Sequence, residues 1–588
     1  MAVTKSNDSP TKNFAVISPL HKHASSNTLS EGNRVLSTST NGWFGAVGSV
    51  AIRYGEKRYF EAKCLTNVRI YFGLSRVLNH NGQDIADSAV VEGSANFDYM
   101  WRTTSDNEVY YQGSNQSATV SAVSANDIVS CTTETNGTVK FYKNGTLIHT
   151  FSTTLTDGHV YYPIFSVNGA TSTERVQANF GSDDVTQQES GYSLLTAADM
   201  LSLDGAPAIE DGSAFFQTIA EWTGNASSQT VTQTGNSGFT PDWAIIKSRS
   251  FGNGANSFDS VRGGSKGLAT FDSGVEDDQA DGVVFSSSGG KGTLAFTGSG
   301  DTGDINHTGR TYLAWTWLAG GAPTTDNISN GGSPGQTPTN NSVFRDGAAS
   351  TTAFGSASIY PTRASINTTA GLSIVEYIGT GSNATLAHGL GAVPKMAWFR
   401  NRESAGNNWV VYHSSATGNT HHTNLDATTA KAAGDRFQDT DPTNEVFSVD
   451  GTTDINKSTD EHVAYIFAEV PGFSRFGFFE GNGSSANGPF IELGFKPAWF
   501  MWKNVDSSTN GNWTVMDSGR DPFNMVENNL RMDTADAQDT GEADLDFLSN
   551  GVRHRGGTSE RFNTDNQTYL YAAFAEHPFA GSTPATAR

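Results

Sequence analysis

The chain has 588 residues, of which 36 % are apolar and only 16 % charged, and its net charge is −23. That length exceeds a single hydrophobic core and predicts about four domains. A field of this sign argues against nucleic acid or an anionic bilayer as the main partner, and no run of about 18 apolar residues is present to insert into a membrane.

Counting glycine in and tyrosine out brings the apolar share to about 44 %, near that of ordinary globular chains, so packed interiors are expected. Ser, Thr, Asn and Gly replace the charged residues of an average surface. Strands joined by tight turns are therefore the default, and the expected fold class is all-β and multidomain. The opening MAVTKSNDSPTKNF lacks the apolar stretch of a secretory leader, which predicts synthesis and folding in a cytoplasm. Two cysteines, Cys64 and Cys131, are too few for a disulfide framework and are expected as reduced thiols in strands.

Within a first domain, 13–182, the run GEKRYFEAKCL alternates, with Phe60, Ala62 and Cys64 facing one way and Tyr59, Glu61 and Lys63 the other. Asn136-Gly137 and Asn144-Gly145 lie eight residues apart and predict two type I′ hairpins. The second would set Lys143 opposite Thr146, Tyr142 opposite Leu147 and Phe141 opposite Ile148. Several stretches then follow in one order: Gly55-Glu56-Lys57 with Tyr59 and Glu61; Phe72-Gly73-Leu74; Asp127-Ile128; Phe141 with Asn144-Gly145; Tyr162-Pro163; and Asn179-Phe180-Gly181. This order resembles the SPRY domain. The resemblance implies a two-sheet antiparallel, concanavalin-like sandwich that binds through its loops and carries no catalytic machinery. Trp43, Phe44, Tyr99 and Trp101 are the candidate binding residues there, set against the reading that they fill the sandwich.

After a connector, 183–214, a diverged threefold repeat occupies 215–321, 371–472 and 473–580. Each copy opens on an aromatic–glycine strand end, at Gly224, Gly379 and Gly481. Proline, an apolar strand and a basic residue follow 15–17 residues later: Pro241 to Lys247, Pro394 to Arg400 and Pro497 to Lys503. A third station, Asp259, His413 or Asp517, lies 18–20 residues past the proline. Each copy closes with an asparagine and an aromatic 11 residues on: Asn306/Trp317, Asn456/Phe467 and Asn563/Phe574. Three homologous sandwich-like domains are expected, each asparagine bonding its own turn. In the third copy Asp521-Pro522 predicts a short helix. Residues 322–370 read as a flexible linker by composition, whereas the family resemblance below implies an ordered extension.

Catalytic and metal signals are weak. Gly-x-Ser-x-Gly strings around Ser265 and Ser333 lack the strand-before, helix-after context of a hydrolase elbow. His21/His23 and His421/His422 are read as surface histidines. The acidic stretch 533–546 lacks the spacing of a calcium loop, and no catalytic, metal or cofactor residue is assigned. The layout as a whole resembles tail-fibre-like virion structural proteins of marine cyanobacterial phages. That implies a non-enzymatic particle-surface protein for host attachment, with other virion proteins and a host glycan or protein as partners, and homo-oligomers, a trimer among them. The alternatives are a capsid or tail decoration, favoured by a chain that runs straight into its first sandwich, and an envelope-polysaccharide-degrading tail enzyme.

Overall fold

The computed structural model describes residues 15–578 apart from 23–27, 67–69, 77–78, 81–82, 85–97, 104–107, 157–158, 170–172, 182–190, 196–207, 280–281, 297–304, 485–487, 542–544 and the single positions 32, 40, 42, 121, 236, 508, 556 and 558. Among the described residues its regular elements are almost all strands, and it divides into two compact units, Met1–Ala206 with Asn482–Glu492, and Pro207–Gly481 with Leu493–Pro578.

The first unit is a two-sheet antiparallel sandwich. One sheet runs in the order Ile17–Lys22, Trp43–Gly48, Val160–Asn168, Ile70–Ser75, Tyr99–Arg102, Glu108–Tyr111, Ser114–Thr119. The other runs Thr146–Thr154, Thr138–Lys143, Ile128–Thr133, Arg58–Cys64, Glu174–Asn179, Val35–Thr38, Thr28–Ser30. Phe60, Phe72, Trp101, Phe141, Phe165 and Phe180 meet between them. Cys64 and Cys131 are free thiols in that core, and burial pushes the Cys64 thiol up to about 12.

The SPRY-like residues act on one another. Glu61 accepts from Tyr59 Oη at 2.7 Å and from Asn179 Nδ2 at 2.9 Å. Gly73 is a glycine because a Cβ there would sit 1.9 Å from the Tyr99 carbonyl oxygen. Asn144 donates to Asp127 and accepts from the Ile128 amide, both at 2.8 Å, which ties the Asp-Ile pair to its turn.

Asn144 and Gly145 have φ of 47° and 77°, the type I′ turn. Lys143 and Tyr142 pair as expected, but a bulge then places Phe141 opposite His149, not Ile148. The Asn136-Gly137 turn differs. Only Gly137 has positive φ, and the bonds Gly137 N→Glu134 O and Glu134 N→Thr138 O close a three-residue loop with a glycine bulge.

In the second unit one strand order occurs three times. Phe216–Thr223, Thr311–Trp317, Trp243–Ser248 and Asn256–Asp259 are neighbours in the first repeat. Leu372–Ile378, Glu461–Ala468, Pro394–Asn401 and Val410–His413 repeat that order, as do Ser474–Glu480, Thr568–Pro578, Phe495–Asn504 and Thr514–Asp517. Trp243↔Trp317, Met396↔Phe467 and Trp499↔Phe574 are equivalent pairs. The repeats are one compact body and are not strung out separately.

Residues 322–370, a flexible linker by composition, are loops and turns that carry three short strands, Val343–Arg345, Ala348–Ala349 and Arg363–Asn367. Val343–Arg345 pairs in parallel with Arg363–Asn367 and extends the second repeat's sheet, and buried Asn327 donates to the carbonyls of Gly335 and Pro361. Polar residues hold this segment through side-chain-to-backbone bonds that composition does not reveal.

The helix expected after Asp521 does not form. Asp521 accepts from the amides of Glu527 and Asn528 at 2.9 and 2.7 Å across a loop. Val526 and Asn529 pair with Leu545 and Asp539, so tertiary partners overrule the local preference.

Candidate binding cleft

The stations that define the repeat reach across repeat boundaries. In the first, Asp259 accepts from Arg262 Nε at 2.6 Å and from Tyr465 Oη of the second repeat at 2.6 Å, all three groups being buried. In the third, Asp517 accepts from Arg520 Nε at 2.7 Å and from Trp315 Nε1 of the first repeat at 3.0 Å. In the second, His413 Nε2 lies 3.1 Å from the Tyr571 carbonyl oxygen of the third repeat. The contacts run first to third, second to first and third to second, closing a ring.

The basic residue after each apolar strand repeats the ring. Lys247 Nζ donates to Thr534 O at 2.9 Å, Lys503 Nζ to Ala427 O at 3.1 Å, and Arg400 to Gly274 O. Aromatic rings fill the centre: Trp243 lies 4.2 Å from Trp317 and 4.6 Å from Tyr465 between centroids, and Trp317 lies 5.9 Å from Trp499.

Two of the closing asparagines, Asn306 and Asn456, reach beyond their own turns. Asn306 and Asn456 accept from the amides of Asn225 and Thr380 and donate to the carbonyls of Ser227 and Ser382. They hold the loop after the repeat's opening glycine. A Cβ on Gly224, Gly379 or Gly481 would lie 2.1–2.3 Å from the carbonyl oxygen one residue past that asparagine. The glycine and asparagine are two halves of one contact.

The ring leaves a cleft of about 780 Å³ in the first repeat, walled also by the 322–370 segment. Phe215, Pro241, Val284, Phe285 and Leu318 supply its apolar lining, and Gly263-Gly264 and Asp346-Gly347 its rim. Asp242 sits at its floor, where burial raises its carboxyl to about 6. Both of its oxygens are occupied, one by Ser260 Oγ at 2.9 Å, the other by the amides of Ala319 and Gly321 at 2.9 and 3.1 Å. Asp346 accepts from the Thr368 amide and hydroxyl, each at 2.7 Å. Such a cleft offers apolar contact and a few fixed acceptors, which is the chemistry of binding.

The four residues singled out in the sequence lie elsewhere. Tyr99 and Trp101 are 1 % and 0 % exposed, on a strand held between two neighbours, so they are core residues and no loop contact. Trp43 and Phe44 belong to the strand Trp43–Gly48, and their side chains lie outside the described residues. The side chain of His21, on the strand Ile17–Lys22, and the whole of His23 also lie outside the described residues.

His422 is buried, with its imidazole pKa lowered by that burial, and is no surface residue. In the acidic stretch Asp536 and Asp539 both face Arg531, while Asp533 accepts from Asn512 and the Trp513 amide. Among the described residues no group of three or more His, Cys, Asp or Glu side chains is placed to hold a metal ion, and no helix is long and apolar enough to cross a membrane. Ser265 leads into the strand Lys266–Ala269 and Ser333 closes a tight bridge with Asn330, so neither stands on an elbow.

Strand order and register define an all-β protein built of largely antiparallel sheets. Residues 211–345 and 342–578 match the family model described as a domain of unknown function, DUF7483, and the chain belongs to that family. Residues 57–183 match the SPRY domain model, which places a SPRY domain in the first unit. Among solved structures, the SPRY domain of human HERC1 is 17 % identical over 28 % of this chain and 96 % of its own, with a TM-score of 0.23. A second human SPRY domain is 16 % identical over 28 % and 97 %, TM-score 0.21. The metal-free carbohydrate recognition domain of Emp46p is 10 % identical over 26 % and 85 %, TM-score 0.21. Comparison with curated proteins gives no match.

Proposed function

We propose that the chain is a non-enzymatic structural and binding protein of a bacteriophage particle, exposed on its surface and used for attachment to the host. The observation that carries the non-enzymatic part is the fate of the buried ionisable groups. Asp259, Asp517, His413, Lys247, Arg400 and Lys503 join one repeat to the next, and the cleft's carboxylates are hydrogen-bonded by its own walls. A general acid or nucleophile needs a lone pair or proton directed at substrate, and these groups direct theirs at the fold.

The particle assignment rests on the resemblance of the whole layout, SPRY-like module, joint and three repeats, to tail-fibre-like phage proteins. In this reading the partners are other virion proteins and a protein or glycan of the host surface. Electron microscopy of particles labelled with an antibody to this chain is the test. Label at the tail, with saturable binding of the purified protein to host cells, is expected. Copy numbers on the order of a hundred would make it a capsid decoration instead. Release of reducing sugar from host envelope would replace the reading with an enzyme.

A further inference from the structure

One wall of the cleft has main-chain groups without partners. The strand Val283–Ser288 is the edge of a three-stranded sheet and, among the described residues, its one strand partner is Lys291–Phe296, in unbroken register from Val283↔Phe296 to Ser288↔Lys291. Gly289 and Gly290, both at positive φ, make the two-residue turn between them. In such a hairpin Ser288 and Lys291 are the hydrogen-bonded closing pair, so Val284, Ser286 and Ser288 bond the neighbouring strand. Val283, Phe285 and Ser287 direct their N–H and C=O the other way. The Val283 amide donates to Gly264 O at 2.7 Å. Among the described residues nothing pairs with the main chain of Phe285 or Ser287.

The third repeat shows what fits such an edge. There the counterpart strand is Leu545–Leu548, with Leu545 and Phe547 facing outward as Val283 and Phe285 do. Leu545 exchanges two bonds with Val526, at 3.0 and 2.8 Å. The Asn524 side-chain amide takes the Phe547 N–H at 2.8 Å and its C=O at 3.0 Å, the bonding pattern of another strand. Nine residues separate Arg520 from Leu530 in that repeat, and five separate the equivalent Arg262 from Leu268. The shorter turn ends at Gly264, which serves Val283 as Val526 serves Leu545, and nothing continues to Phe285.

The open edge is also unguarded. Its residues, Val-Val-Phe-Ser-Ser-Ser, include no charge and no proline, the ladder has no bulge, and Val284 is 48 % exposed beside the cleft. Natural sheets protect edges they do not use by such devices.

We propose that this edge takes up an extended segment of a partner protein by strand addition, in the place where the third repeat uses its own residues Asn524–Val526. The lining fixes the chemistry of the segment. The walls are apolar, Asp242 and Asp346 lie among them and, among the described residues, no Lys, Arg or His does, so the complementary segment alternates small apolar side chains and carries a lysine or arginine. A second copy of this chain, itself at net charge −23, is the poorer match. The inference goes beyond the particle assignment and needs neither a virion nor a host, so its failure leaves that assignment standing.

The test uses the full chain and fluorescent hexapeptides of alternating valine and threonine with one central lysine, followed by anisotropy. Three probes are compared: the plain peptide, the same peptide methylated on alternate backbone nitrogens, and one with glutamate for lysine. The plain peptide is expected to saturate, and each altered peptide to bind at least about tenfold more weakly. Ser287→Pro removes an outward amide without touching the ladder to Lys291–Phe296, a place where proline is tolerated. It should keep the thermal midpoint and lose the peptide, while Ser287→Ala keeps both. Absence of binding by the wild type, or equal binding by Ser287→Pro, overturns the proposal. So does a wild-type dimer in sedimentation that Ser287→Pro abolishes, since the occupant would then be a second copy.

Discussion

The SPRY sandwich and the repeat body use their recurrent residues in opposite ways. In the sandwich, Tyr59, Glu61 and Asn179, and likewise Asp127 and Asn144, bond one another within a single pair of sheets. In the repeat body, Asp259, His413 and Asp517 bond groups of a neighbouring copy. A recurrent polar residue in a single domain marks a local brace. In a repeat it marks a seam, because each copy must recognise the next with what all copies share. The seam residues are buried and Asn144 of the braces is exposed, and neither kind is thereby a site of chemistry.

That contrast can be broken most forcefully at a seam. Asp259→Ala takes from the buried Arg262 guanidinium one of its two carboxylates, leaving Glu276, and removes the shortest of the hydrogen bonds at Tyr465 Oη. A loss of about 3 kcal/mol is expected, the lower end for a broken buried ion pair, because Glu276 still faces the guanidinium. Urea denaturation measures it, and a loss below about 1 kcal/mol would show that the seam is not what joins the repeats.

The second seam can be probed by pH. Burial lowers the His413 pKa to about 4, while in the unfolded chain the imidazole takes a proton near 6.5. Stability is therefore lost as pH falls from about 6.5 towards 4, by about 3 kcal/mol from this residue. His388, His462 and His554 are lowered in the same sense by burial. Asp242, Asp426 and Asp533 are raised by burial and work against them over the same range. Comparing His413→Gln with the wild type cancels those shared contributions. The wild-type urea midpoint should fall more steeply than the variant's between pH 7 and 4.5.

A smaller effect, of about 1–3 kcal/mol, is expected from Gly379→Ala, whose Cβ would meet the Lys457 carbonyl oxygen at 2.1 Å. Thermal denaturation checks it, and Gly224→Ala should behave alike if the repeats are equivalent there. Least costly is the brace in the sandwich. Asn144→Gly keeps the positive-φ turn but loses the amide bonded to Asp127 and Ile128, for about 1 kcal/mol by urea denaturation.

The SPRY pattern and the repeat's spacing could be read in the sequence because both are patterns of residue type along the chain. What each residue does was hidden wherever its partner lies far away. Asn456 looks like a turn former until Thr380 and Ser382 are seen against it. Tyr99 and Trp101 look like contact aromatics until their strand is found between two others. Asp521-Pro522 carries every local sign of a helix start, yet its segment is claimed by Leu545 and Asp539.

The cleft has no residue-type signature at all. Its one trace in the sequence is the shorter interval from Arg262 to Leu268 than from Arg520 to Leu530, which gains meaning only when the edge it uncovers is known.

The closed ring has an evolutionary consequence. Three identical subunits around an axis must accept every substitution at all three corners at once, so a change that suits one corner is vetoed by the other two. Carried on one polypeptide, the corners are free to drift apart: an aspartate with its arginine at two, a lone imidazole at the third, a covered strand edge in one copy and a bare one in another. Fusion turns a symmetric object into one whose faces can be assigned different work.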